Sequence, residues 1–185
     1  MSGSNFPFIK NDILRKNLDD AFQHILILIP LSESATYDET AKSVLRKTIV
    51  IYTGSIVEAL LYYLLDTQLK ESDLQNNTWE VVNERVLYSV SDFHKIIAGE
   101  KKQKIEHIKK EKLNLGQINT VLKDKQIISR ALFQKIDSLR EMRNAQHIGA
   151  HTEVKIFTNR ELEYAFSVAS DVKKRVSELI ESTRP

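Results

Sequence analysis

Residues 139–151, LREMRNAQHIGAH, bring two arginines, an asparagine and two histidines into one short stretch. Arginine offers a planar fork of N–H donors that fits a phosphate and stabilises charge developing on it. Histidine gains or loses a proton near neutral pH, so the two together suit phosphodiester chemistry. Exposed helix faces more often carry Glu, Lys and Gln. On a helix, residues three or four apart share a face, which would let Arg140, Arg143, Asn144 and His147 project together. His151 joins them if the helix persists past Gly149. Ile136, Leu139 and Met142 are then expected to turn inward on the opposite side. By spacing alone, an ordinary solvated helix face explains the cluster equally well.

Other residues compete for attention. Glu58 lies in SIVEALLYYLL, where an isolated carboxylate among apolar neighbours is costly unless paired or hydrogen-bonded. The arginine stripe is one partner it could meet; a tyrosine hydroxyl or solvent at a helix seam is the other. Gly54, one turn earlier, would admit a close helix approach. His147 and His151 have the i,i+4 spacing of helical metal ligands but lack a third ligand, so no metal and no cofactor is expected. His24 reads as a packing residue, and His94 and His107 as exposed. From Lys95 to Lys112, seven lysines stand against three glutamates, an excess larger than the +2 of the whole chain. These lysines could track a nucleic-acid backbone. Interleaving with Glu100, Glu106 and Glu111 favours i,i+4 pairing on an exposed helix instead, and no aromatic platform for stacked bases accompanies them.

The elements that would position these residues are mostly helical. Asn11 or Asp12 caps a first helix whose apolar residues Ile13, Leu14, Leu18, Phe22, Ile25, Leu26 and Ile29 recur at helical spacing until Pro30. Asp38 or Thr40 opens a long helix reaching Lys70, apolar nearly all round at its centre and therefore placed in the middle of the fold. Residues 79–112 form a basic insertion, either irregular or a short β-hairpin, because Val86, Tyr88, Val90 and Phe93 hold no helical period. Asn114 caps a short helix. Ser129 opens the helix carrying the arginines, with Leu132, Phe133, Ile136, Leu139 and Met142 as its apolar stripe and Gly149 at its end. Thr158 and Glu161 make a capping box for a last helix whose inward face is Leu162, Phe166, Val168, Ala169, Val172, Val176, Leu179 and Ile180. The fold class is all-α: a single domain over 1–185, a bundle of four to five main helices with the insertion.

Composition agrees with that class. The 185 residues suit one hydrophobic core, and five Gly and three Pro are few. With no cysteine there is no disulfide, thiolate metal site or cysteine nucleophile. The opening MSGSNFPFIKND lacks the basic and apolar regions of a signal peptide, and Glu58 interrupts the most apolar run, Thr48 to Leu65. A cytoplasmic location without a membrane is expected.

LREMRNAQHI resembles the Arg-polar-…-His motif of the HEPN superfamily, the higher-eukaryote and prokaryote nucleotide-binding helical domains. YTGSIVEALLYYLL is similar to the apolar helix with a single acidic residue that many members carry upstream, and FTNRELEYAFSVASDVKKRVSELI to their closing helix. The resemblance covers roughly half the chain, in the expected order. It implies a metal-independent endoribonuclease acting as a homodimer, whose Arg and His meet across the dimer while the RNA 2′-hydroxyl attacks the adjacent phosphate. Carried over, Arg143 would steady the phosphate, Asn144 would fill the polar position after it, and His147 would be the general acid or base. Arg140 would be a second phosphate contact, with Glu58 and His151 in support. The implied context is a toxin, phage-defence or stress system, with RNA, a second copy and a cognate antitoxin as partners. In the usual motif four to six residues separate Arg from His; Arg143 and His147 have three between them, whereas Arg140 and His147 have six. The helix face accommodates either assignment, and the polar residue after Arg143 favours Arg143. A non-catalytic HEPN-like module binding RNA, nucleotide or protein is the alternative. A metal-dependent helical enzyme is a third reading and needs a further ligand near His147 and His151.

Overall fold

The computed structural model describes residues 3–91, 94–107, 109–144 and 156–182. The protein is mostly helical, with five helices and a two-stranded antiparallel hairpin inserted between the second and third. It divides into two compact units: residues 69–113, which contain the hairpin, and the remainder, which is the helical bundle.

The bundle is built on α2 (Glu39–Gln68), which packs against α1 (Asp12–Glu33), α3 (Leu115–Asp124), α4 (Arg130–Asn144) and α5 (Asn159–Ser182). Val57, Leu60, Leu61, Leu64 and Leu65 of α2 are fully buried, each such side chain contributing about 1.5–3 kcal/mol relative to exposure. By length and composition α2 could cross a membrane, and 56% of its most apolar window is buried within the bundle, as in a core helix. Asp38 caps it, its carboxylate accepting the Ala41 N–H at 2.8 Å. Val172, Val176 and Ala165 of α5 are also fully buried. Ala165 is missing from the inward face read off the sequence, whereas Phe166, Ala169 and Leu179 lie at its half-buried margin.

The helix starts follow their capping residues. Asn11 accepts the Leu14 N–H, and Asn114 forms a full capping box with Gln117. Ser129 Oγ accepts the Leu132 N–H at 3.2 Å, and the Glu161 carboxylate accepts the Thr158 N–H at 2.9 Å. Pro30 does not end α1, which runs to Glu33. A proline so near the C-terminal end removes one ladder bond, and Ser32 Oγ and the Ser34 N–H supply local bonds to Ile29 O and Leu31 O. The segment before α1 is also part of the core: Phe6, Phe8 and Ile9 are buried, with Phe6 edge-on to Phe22 at 6.5 Å.

In the second unit, β1 (Gln75–Ser91) pairs with β2 (His94–His107). This hairpin is longer than the short one anticipated and starts earlier. The lysine stretch as far as His107 is therefore strand rather than exposed helix, and in a strand residues i and i+4 stand about 13 Å apart rather than one turn apart. Register slips at Asn83–Glu84, where Asn83 adopts a left-handed φ of 55°, a conformation asparagine tolerates.

Candidate functional site

The core-facing stripe of α4 leads directly to an arginine. Ile136 and Leu139 are fully buried, and Arg143 follows Leu139 by four residues and Ile136 by seven, continuing the same side of the helix. This corrects the expectation that Arg143 stands opposite the apolar stripe. A long side chain whose stem packs inward can end the stripe with its charged head at the rim.

That head meets α2. Arg143 Nη1 donates to Glu58 Oε2 at 2.6 Å, and the two side chains keep 30% and 33% of their surface exposed. The approach depends on Gly54, one turn before Glu58: a Cβ at that position would stand 3.1 Å from Arg143 Cδ. Gly54 therefore leaves the space that the arginine stem occupies, and of the two partners considered for Glu58, the arginine is the one it meets. Chemically, the pair holds a planar cation at the bundle surface with one N–H committed to a carboxylate. A guanidinium has five such donors, so contact with an anion does not require the pair to break.

Arg140 goes elsewhere. Its Nε donates to Asp137 Oδ1 at 2.8 Å, and its Cδ and Nε lie 3.4 Å from where a Gly116 Cβ would be, at the start of α3. The two arginines thus diverge, Arg143 toward α2 and Arg140 toward α3, instead of sharing one open face. Asn144 is exposed at the end of α4. His147 and His151, with Gly149, lie outside the described residues. His24 is exposed with its ring 5.3 Å from Tyr52, and His94 Nδ1 lies 3.1 Å from Ser91 Oγ, also exposed. Among the described residues no group of three His, Asp or Glu converges as metal ligands would.

No family model, curated protein or solved structure matches the chain.

The sequence reading missed Asp137 and Gly116, although an aspartate three residues before an arginine on a helix is a readable pair. It also found no aromatic beside the lysines. The hairpin register supplies one: Trp79 stands opposite Gln103, with Lys101 opposite Val81, a neighbourhood that sequence distance hides. Nearer the start of α2, Arg46 is buried and bridges Glu39 and the Phe157 carbonyl, while the Phe157 N–H donates to Ser43 Oγ at 2.8 Å. These bonds clamp the chain entering α5 onto α2 and are structural.

Proposed function

We propose that the protein is a HEPN-type, metal-independent endoribonuclease that acts as a homodimer and cleaves RNA through attack of the 2′-hydroxyl on the adjacent phosphate. The observation that carries this reading is the Arg143–Glu58 pair. The arginine of the family-like motif is neither loose on a solvated face nor lost in the core. It is fixed at the rim of the bundle by the acidic residue of the second family-like segment. Arg143 stabilises the phosphate as negative charge grows on its oxygens, and Glu58 sets the direction of the guanidinium. His147, four residues on, serves as general acid or base, and exposed Asn144 supplies a polar contact between them. Arg140, turned to Asp137, is a secondary phosphate contact, and His151 a supporting one. A toxin, phage-defence or stress role, with a cognate antitoxin as regulator, belongs to the same proposal.

The non-catalytic alternative, a module holding RNA, nucleotide or protein, is favoured by one feature: only three residues separate Arg143 from His147. Incubating the purified protein with mixed RNA in chelator distinguishes the two. Cleavage leaving 2′,3′-cyclic ends, lost in both Arg143→Ala and His147→Ala, is the expected result. Cleavage that survives both substitutions would remove these residues from the mechanism. A well-folded dimer that binds but never cuts would favour the module.

A further inference from the structure

The hairpin carries a surface that the α4 site does not use. Neighbouring residues of a strand point to opposite sides, and residues paired across an antiparallel ladder share a side. Trp79–Gln103 and Val81–Lys101 therefore lie on one face, and Glu80–Lys102 and Val82–Glu100 on the other. Charge is sorted accordingly: both carboxylates of this stretch, Glu80 and Glu100, fall on the second face. The first presents an indole, a valine, an amide and an ammonium group, with no acid among them. Trp79 is 65% exposed, and Val81, Lys101 and Gln103 are exposed beside it. At the bulge an acid borders this face, since a Gly99 Cβ would meet Val81 Cγ1 and lie 3.5 Å from Glu84 Cγ.

An exposed indole on a sheet, flanked by a cation and an amide, is how proteins hold unpaired bases: the ring stacks, the cation meets a phosphate and the amide reads a base edge. A purely apolar partner would find its best surface nearer the turn, where Val86, Leu87, Tyr88 and Val90 are exposed. What sets the Trp79 stretch apart is the cation beside the ring, with the bordering carboxylate, Glu84, kept to the margin by the bulge, so that the Trp79 end of the face can meet a phosphate backbone. We propose that the Trp79–Lys101 face of the hairpin binds single-stranded RNA, with Trp79 stacked on a base and Lys101 paired with a backbone phosphate. The choice of RNA over other single strands rests on the ribonuclease reading; the stacking and the charge do not.

Trp79 is the only tryptophan in the chain, so its emission reports on this face alone. The full chain is titrated with a short 2′-O-methyl oligouridine, which 2′-hydroxyl attack cannot cleave, while Trp79 fluorescence and the anisotropy of a labelled oligomer are followed together. Saturable quenching that weakens as salt rises is expected. Trp79→Ala should weaken binding about tenfold or more, with Trp79→Phe recovering most of it, because the ring is what stacks. Lys101→Glu should weaken it several-fold, and Glu80→Gln on the other face should leave it unchanged. Binding by anisotropy without quenching, binding indifferent to Trp79→Ala, or no binding at all would overturn the proposal. So would Trp79 emission that changes with protein concentration alone and ignores RNA, the mark of a protein partner. Arg143-dependent cleavage with no quenching removes only this proposal, whereas quenching without cleavage removes only the ribonuclease.

Discussion

At the scale of single residues, Arg143 is held from two sides, by the Glu58 carboxylate at its head and by the space over Gly54 along its stem. The pair is about one-third exposed, so solvent screening limits its worth to stability to about 1 kcal/mol or less. Glu58→Gln is therefore expected to shift a urea midpoint only slightly while lowering RNA cleavage at least about tenfold, because a misdirected guanidinium loses its hold on the phosphate. A large stability loss with unchanged cleavage would make Glu58 structural. At Gly54 two opposing effects meet: alanine gains about 1 kcal/mol of helix propensity and crowds Arg143 Cδ. Stability of Gly54→Ala should stay within about 1 kcal/mol of the parent, and Gly54→Leu, which fills the space of the arginine stem, should abolish cleavage in a protein that circular dichroism shows to be helical. The sequence placed the arginine, the carboxylate and the glycine within reach of one another only as possibilities. The direction of Arg143 was not legible, since i,i+3 and i,i+4 spacing groups it with Arg140 as readily as with Ile136 and Leu139.

At the scale of elements, what was legible follows from local physics. Caps at Asn11, Asn114 and Ser129 satisfy N–H groups within three residues, so their signals are written in adjacent positions. The hairpin was only half legible because its pairing joins residues up to Gln75 and His107, and a strand exposed on both faces has no simple alternation to read. The core contribution of Phe6, Phe8 and Ile9 was invisible for a similar reason: nothing local dictates that a short apolar segment before a helix folds back onto it. One element carries a pH dependence. At the start of α2, hydrogen bonds from Lys42 and Arg46 hold the Glu39 carboxyl below its ordinary 4.5. A carboxyl lowered in the folded state favours folding above its unfolded value and loses that contribution as pH falls through its folded value. The stability difference between the parent and Glu39→Gln, measured by urea denaturation, should thus be present near neutrality and shrink below about pH 4. A difference that grows on acidification would contradict this origin.

At the scale of the whole molecule, the bundle and the hairpin divide the proposed work: the bundle supplies Arg143 and Glu58 near the end of α4, and the hairpin supplies an exposed aromatic and basic face. The mostly helical class and the order of elements were readable from periodicity, whereas the proposed completion of the site by a second copy is something no single sequence displays. A composite site makes a specific demand on that second copy. If Arg143 of one protomer works with His147 of the other, a mixed dimer of Arg143→Ala and His147→Ala chains keeps one intact site, pairing the arginine of the second chain with the histidine of the first. The most direct measurement is cleavage by the two inactive variants after they are unfolded together and refolded at equal concentration. Half the dimers would be mixed and each would hold one working site of two, so activity should return to about a quarter of the parent level. A mixture of well-folded dimers as inactive as either variant alone would contradict a site shared between two copies.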